Sequence, residues 1–183
     1  MPHLARRSIL SILIGLCALL RAGEDESFNA KVVTFCEKNL NAIVGDGECA
    51  ALAAQALRAA GARGRNGDNP GKDDYVWGKE IFVLEYDSQG LKTTGKYEGI
   101  QPGDIIQYRD AVFKGRKNSK ATYSSSSPHH TAIVYKVGAK GHELKILEQN
   151  TNGRKTVAEA PLRLDDLKEG WIRIYHPVPE EKK

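Results

Sequence analysis

Apolar positions recur at helical intervals in the first part of the chain and at strand-like intervals in the second part. Between Ser27 and Ile43 the spacing predicts one amphipathic helix, whose apolar positions are Val32, Phe35, Cys36, Leu40 and Ile43. A second helix is predicted from Cys49 to Ala60, because this run is rich in alanine and leucine and Gly61 follows as a stop. The segment Gly45–Gly47 separates the two helices.

Beyond Ile100 the pattern favours β-strands. Branched and aromatic residues lie between turn-forming segments at 105–113, 130–137, 144–150, 156–164 and 170–178. The serine-rich stretch 116–127 is expected to be a loop, and residues 74–86 a short helix or a strand. Helices followed by antiparallel strands predict an α+β fold, with the N-terminal helices packed on an antiparallel sheet of about five strands.

The first 22 residues have the pattern of a secretory signal peptide. His3, Arg6 and Arg7 precede a mainly apolar run from Ile9 to Leu20, and small and acidic residues follow. This run is shorter than the about 20 residues that a membrane-spanning helix needs. We therefore expect export to the periplasm or the extracellular space, with an uncleaved N-terminal anchor as the alternative.

Removal of that segment changes what the charge implies. The chain carries 27 Lys and Arg against 23 Asp and Glu, and the loss of Arg6, Arg7 and Arg21 leaves 24 against 23. The excess of positive charge therefore belongs mostly to the leader. It gives no indication of nucleic-acid binding.

Cys49 stands at the first turn of the second predicted helix, directly after Gly47 and Glu48. Backbone N–H groups at this position have no helical partner, and together with the helix dipole they favour a thiolate over a thiol. The same groups can bind the oxyanion of an attacked carbonyl. The alternative is a structural cysteine that packs beside Leu52, and this segment alone supports both interpretations equally.

A thiolate nucleophile needs a general base and a group that orients the base. His130 opens a predicted strand, and strand alternation does not separate it from its neighbour His129. The next strand ends in Glu148-Gln149-Asn150, which a hairpin would place opposite the start of the histidine strand. Glu148 and Asn150 share one face of an extended strand, so either side chain can hold the second ring nitrogen. The alternative is that these residues only close a surface turn.

Four short motifs follow one another along the chain. They are Gly-x-Cys at 47–49, Pro-Gly-Asp-Ile-Ile at 102–106, His-Thr-Ala-Ile-Val at 130–134 and Glu-Gln-Asn at 148–150. In this order they resemble the CHAP family of cysteine- and histidine-dependent amidohydrolases and peptidases, which is related to the NlpC-like cell-wall peptidases. The resemblance covers roughly residues 40–176. It implies a papain-like fold in which Cys49 is the nucleophile, His130 the base, and Glu148, with Asn150 close by, the orienting group.

The resemblance also implies a substrate. Members of the family cut amide bonds of peptidoglycan, so the expected partner is peptidoglycan or a wall-derived peptide, with no cofactor. The chain would then divide into a signal peptide (1–22), an N-terminal helical segment (23–39), a CHAP-like catalytic domain (40–178) and a charged tail (179–183). We expect a monomer that binds no nucleic acid and, after removal of the signal peptide, no membrane.

Two further interpretations stay open. In an oxidising compartment Cys36 and Cys49 can form a disulfide, which would make the chain a non-catalytic binding module of the same fold, as would a degenerate site. One loop also gathers oxygen ligands that attract calcium, namely Asp68, Asn69, Asp73 and Asp74. The spacing of these residues is not that of an EF-hand, and we expect no metal site there.

Overall fold

The computed structural model describes residues 27–65 and 74–180. The two helices are α1 (Phe28–Lys38) and α2 (Cys49–Ala60). The strands are β1 (Lys79–Asp87), β2 (Gly90–Gly95), β3 (Ile105–Arg116), β4 (Thr122–Val137), β5 (Glu143–Glu148), β6 (Ala158–Arg163) and β7 (Leu167–His176). The predicted signal peptide lies outside the described residues, as do Asp68, Asn69 and Asp73 of the acidic loop. Within the two described ranges, no helix has the length and apolar character needed to cross a membrane.

The strands form a single antiparallel sheet in the order β2-β1-β7-β3-β4-β5-β6. The α+β arrangement agrees with the sequence pattern, but the expected number of about five strands is wrong. The two additional strands are the hairpin of β1 and β2. β2 has the sequence GLKTTG and is largely exposed, so it lacks the alternation of apolar and polar residues that marks a half-buried strand.

The helices cover one face of the sheet, and the opposite face has a core of its own. α2 buries Leu52, Ala53, Ala56 and Leu57 completely, and its small alanine side chains let the helix lie close to the strands. Ile133 of β4 belongs to this helix-side core, whereas the flanking Ala132 and Val134 belong to the core of the opposite face. Side chains alternate along a strand, so Thr131 lies on the helix side and His130 on the other side. The side chains of consecutive β4 residues therefore lie on alternate faces of the sheet.

The first helix is shorter than the apolar spacing predicts. α1 ends at Lys38, and Asn41 has a φ of 65°, a backbone conformation that cannot continue a helix. Leu40 and Ile43 were expected on the apolar face, but they are 40% and 59% exposed. The backbone of this segment instead forms a short bridge to Val157, with Asn41 N–H donating to its carbonyl oxygen at 2.9 Å.

The serine-rich stretch is also different from its prediction. β4 begins at Thr122, and its serines pair with β3 from Ala111↔Ser127 to Lys114↔Ser124. The loop prediction is wrong for this half of the stretch, because a long β3–β4 hairpin gives the serines backbone partners that local propensity does not reveal. The hairpin matters for the site, since the same strand carries His130.

A buried carboxylate ties the first helix to the end of the sheet. Asp104 is 0% exposed, and it accepts hydrogen bonds from Asn29 Nδ2 and from the backbone N–H of Gln101, both at 2.8 Å. His176 at the end of β7 bonds to the same carboxylate through Nδ1. Burial raises the pKa of Asp104, although the bonds from Gln101, His176 and Asn29 act in the opposite direction.

Candidate active site

Cys49 is the first residue of α2, and this helix begins without a side-chain cap. The N-cap residue is Glu48, whose carboxylate does not bond to the helix N–H groups. It accepts a hydrogen bond from Asn150 Nδ2 at 2.6 Å and forms an ion pair with Lys155. The first N–H groups of the helix therefore have no side-chain acceptor, and that of Ala51 donates to the carbonyl oxygen of Glu48 at 3.0 Å. The N–H of Ala50 donates to the sulfur of Cys49.

Three side chains meet at this point. His130 Nε2 lies 2.9 Å from Glu148 Oε2, and the two side chains are only 10% and 8% exposed. The His130 ring also forms a hydrogen bond with Cys49. Since Nε2 faces Glu148, Nδ1 is the ring nitrogen that remains for the sulfur. The backbone N–H of Thr131 donates to the same sulfur, which thus contacts both the helix and β4.

These contacts shift the pKa values of the thiol and the imidazole in opposite directions. Burial alone raises the pKa of Cys49, but the hydrogen bond and charge of His130, together with the N–H groups of Thr131 and Ala50, bring it below its ordinary value. Burial lowers the pKa of His130, whereas its contacts with Cys49 and Glu148 raise it to about 9. Both shifts favour a thiolate beside an imidazolium.

The second cysteine has the opposite character. Cys36 is completely buried on α1, and burial, with a smaller effect of Glu37, raises the pKa of its thiol to about 12. Cys36 and Cys49 are both free thiols. The alternative of a Cys36–Cys49 disulfide therefore has no support in the structure, and the sulfur of Cys49 is free to react.

Glu148, not Asn150, is the group that the structure brings to the imidazole. Ile133 pairs with Leu147, which puts Glu148 opposite Ala132 and within diagonal reach of His130. The expectation that Asn150 shares this face is wrong, because β5 ends at Glu148 and Asn150 has a φ of 61°. Its amide bonds to Glu48 instead.

His129 points to the other side of the strand. Its ring centre lies 5.3 Å from that of Tyr75, and its Nε2 is buried with no hydrogen-bond partner among residues 27–65 and 74–180. Of the two neighbouring histidines, His130 is thus the one that contacts Cys49. The ring of Tyr108 lies 5.5 Å from the ring of His130, measured between their centres, and burial, with the charge of Glu148, raises the pKa of this phenol.

Gln149 is a site residue that the sequence analysis passed over. This fully buried side chain accepts the N–H of Val44 at 3.1 Å and donates to the carbonyl oxygens of Val44 at 2.9 Å and Glu48 at 2.7 Å. It therefore fixes both ends of the loop that leads into Cys49. The signal was present in the sequence, since a polar residue next to the buried end of a strand needs hydrogen-bond partners.

A second buried amide supports the floor of the site. Gln107 Oε1 accepts hydrogen bonds from Trp77 Nε1 at 2.9 Å and from Thr131 Oγ1 at 3.0 Å. These bonds hold the residue whose backbone N–H contacts the sulfur. Among the described residues, no group of three His, Cys, Asp or Glu side chains is placed to hold a metal ion. Asp74 of the acidic loop is bound by Arg109, whose Nε donates to it at 2.7 Å.

Comparison with known proteins gives one family and several relatives. The family model for the AIM3/BBC1 Cysteine proteinase-fold domain matches residues 20–182. Altered inheritance of mitochondria protein 3 of Debaryomyces hansenii is 30% identical over 83% of this chain and 16% of its own length. An SH3 domain-containing protein of Schizosaccharomyces pombe is 29% identical over 49% of this chain and 6% of its own length. This chain therefore spans less than a fifth of either yeast relative.

Two solved structures are similar at lower sequence identity. The crystal structure of Ly7917 is 18% identical and has a TM-score of 0.44, over 80% of this chain and 62% of Ly7917. The structure of Ly7917 with the hydrolyzing product of MDP is also 18% identical, with a TM-score of 0.46 over 81% and 62% of the two chains.

Proposed function

The chain belongs to the AIM3/BBC1 cysteine proteinase-fold domain family, and from this premise we propose that it hydrolyses amide bonds in peptides with Cys49 as the nucleophile. The observation that supports the proposal most strongly is the continuous line of contacts from the Cys49 sulfur to His130 and from His130 Nε2 to Glu148, 2.9 Å apart. A structural cysteine needs neither a lowered pKa nor a buried imidazole with its own carboxylate.

The proposed reaction begins from the thiolate and the imidazolium. The Cys49 sulfur attacks the amide carbonyl carbon, and the helix N–H of Cys49 stabilises the oxyanion that forms. His130 gives its Nδ1 proton to the leaving nitrogen, the C–N bond breaks, and a thioester remains on the sulfur. His130 then removes a proton from water as the water attacks the thioester, which releases the acid and restores the thiolate. Glu148 holds Nε2–H throughout.

The finer assignment from the sequence concerns the substrate. We propose peptide amides as the bond class, and within it the peptidoglycan amide expected from the CHAP resemblance remains a specific prediction. Export and a monomeric state also remain predictions, and the yeast relatives do not bear on them. The alternative is a binding module that keeps the fold without turnover, and the same experiment separates the two.

The test is digestion of two substrate preparations by the full chain. Purified peptidoglycan and a library of end-blocked random octapeptides are incubated with the protein, and mass spectrometry identifies new termini. Wild-type protein is expected to create termini in at least one preparation, and Cys49→Ala and His130→Ala each to lower the rate by at least about 1000-fold.

Cys36→Ala is the matched control, because it removes the buried thiol of raised pKa on α1 and leaves Cys49, His130 and Glu148 in place. It is expected to keep the rate of the wild-type protein. If the wild-type chain cuts neither preparation, or if Cys49→Ala keeps its rate, the protein is a binding module and not a thiol hydrolase.

A further inference from the structure

The edge of β4 next to Cys49 has no strand beside it in the described part of the chain. β5 pairs with β4 only as far as Ile133, opposite Leu147. β4 itself continues in the other direction to Thr122, and over this length it is paired with β3 on one side only. Among residues 27–65 and 74–180, the other side of residues 122–131 is therefore a sheet edge.

The direction of the backbone groups on this edge follows from two contacts. Val134 N–H donates to Asp104 at 2.8 Å and its carbonyl accepts from Gly103 at 2.7 Å, so both groups point towards β3. Polar backbone groups of an extended strand alternate in direction, and Thr131 accordingly points the other way, with its N–H on the Cys49 sulfur. The N–H and carbonyl groups of His129 and Ser127 point in the same direction as those of Thr131.

This edge is therefore continuous with the nucleophile. The polar groups of His129 lie about 6.8 Å along the strand from those of Thr131, which is the repeat of two residues in an antiparallel strand. A peptide whose carbonyl carbon lies at the sulfur can align its neighbouring backbone groups with His129 and then with Ser127.

Within the described ranges, the side chains of this edge lack the usual features that block pairing with another strand. Natural sheet edges are usually blocked by charged residues, by prolines that remove an outward donor, or by very short strands. Here Ser124 to Ser127 carry no charge. Pro128 is six residues from Val134, so the alternation of backbone groups places its nitrogen on the side of β3. The N–H that proline lacks is therefore not missing from the open side.

We propose that the backbone of His129 and Ser127 is the substrate-binding edge of the site, and that it takes an extended peptide as an additional β-strand. The proposal rests on the proposed function and narrows it to a substrate class. Recognition runs through main-chain hydrogen bonds, so affinity depends on an extended backbone more than on particular side chains. A folded or strongly branched amide does not fit such an edge.

The first test changes the substrate. One octapeptide that the wild-type chain cleaves is resynthesised with each backbone N–H replaced in turn by N-methyl. The expected result is a loss of at least tenfold in kcat/KM at alternating positions on one side of the scissile bond. Losses restricted to the scissile residue, or losses that follow side-chain changes instead of N-methylation, overturn the proposal.

The second test changes the protein at one backbone donor. Ser127→Pro removes the outward N–H without breaking a bond to β3, so the variant is expected to fold, while kcat/KM for the octapeptide falls at least tenfold. The alkylation rate of Cys49 by iodoacetamide reports that the thiol and imidazole are intact. Ser126→Pro is the orientation control, because its N–H faces β3 and its loss should lower Tm. Equal effects of the two prolines on Tm overturn the assignment of the edge.

A third measurement separates this proposal from the proposed hydrolysis. Backbone amide NMR shifts of the Cys49→Ala protein are followed while the same octapeptide, or the unfractionated library if nothing is cleaved, is added. Shifts at Ser127, His129 and Thr131 without any cleavage by the wild-type protein mean that the edge binds peptides and the hydrolase assignment fails. Cleavage without shifts at these amides means that the hydrolase stands and the edge proposal fails.

Discussion

Glu148 Oε2 lies 2.9 Å from His130 Nε2, and both side chains are almost completely enclosed. The carboxylate thereby fixes the orientation of the ring and leaves Nδ1 for the sulfur. Burial is the largest single effect on the pKa of His130 and lowers it. The contacts with Cys49 and Glu148 together outweigh burial and raise this pKa to about 9. Asn150, two residues further on, makes its hydrogen bond with Glu48 instead.

Glu148→Gln is expected to lower kcat/KM by about 10- to 100-fold, because a neutral amide no longer stabilises the imidazolium. The pKa of His130 should fall from about 9, and with it the pH at which activity declines on the alkaline side. Asn150→Ala is the matched control from the same strand end and should change kcat/KM less than twofold. A loss in Asn150→Ala as large as that in Glu148→Gln would show that the wrong residue was assigned to the histidine.

The pH dependence of the reaction is expected to be bell-shaped. Attack needs the thiolate, so the rate falls as the pH falls through the lowered pKa of Cys49. Departure of the amine needs the protonated imidazole, so the rate falls as the pH rises through about 9, the pKa of His130. The measurement is kcat/KM against pH for one cleaved peptide, and an activity that still rises beyond pH 10 contradicts the assignment.

Alkylation should distinguish the cysteines. At pH 7 iodoacetamide is expected to modify Cys49 much faster than Cys36, because the first thiol has a lowered pKa and the second is buried with a pKa of about 12. Peptide mapping by mass spectrometry assigns the label to a position. His130→Ala should slow the labelling of Cys49 at this pH, and equal labelling of both cysteines in the folded protein contradicts the lowered pKa.

Gln149→Ala is expected to reduce both stability and activity. The change leaves the N–H and carbonyl of Val44 and the carbonyl of Glu48 without their partner, which costs about 2 kcal/mol of unfolding free energy. The loop that leads into Cys49 also loses the hydrogen bonds that fix it. We therefore expect kcat to fall even at temperatures well below Tm, where the variant is still folded. Gln89→Ala, in the exposed turn between β1 and β2, serves as the control and should change neither.

Asp104→Ala tests the connection between the first helix and the last strand. It removes a fully buried carboxylate and leaves Asn29 and His176 without their common partner, so we expect a loss of about 3 kcal/mol in denaturant unfolding. Glu169→Ala, which breaks an exposed pair with Lys114, should leave the unfolding midpoint unchanged. Equal midpoints for the two variants would contradict a structural role for Asp104.

Local rules were sufficient for the start of the second helix and for the order of the main strands. The bounds Cys49–Ala60 follow from helix propensity and from the glycine stop, and Gly61 indeed has the left-handed conformation of a C-cap, with a φ of 72°. The placement of Glu148 near His130 follows from the register of one hairpin. Such features depend on neighbours in sequence, which is why a single chain reveals them.

The features that sequence reasoning missed depend on distant partners. β4 extends through the serines because β3 lies beside it, and Gln149 is buried because a loop about 105 residues earlier in the chain supplies the groups it binds. Asn150 departs from the expected face through one left-handed residue at the end of β5. None of these is visible in apolar periodicity, since each arises from a polar group that meets its partner only in the folded chain.

The sulfur of Cys49 accepts one N–H from the helix and one from the sheet, so its acidity depends on the spacing between two layers of the molecule. A cavity made beneath α2, for example by Leu57→Ala, would loosen the packing of the helix on the sheet, and we expect it to slow the labelling of Cys49 by iodoacetamide. The rate at which iodoacetamide modifies this sulfur therefore reports how closely the start of α2 is held against β4.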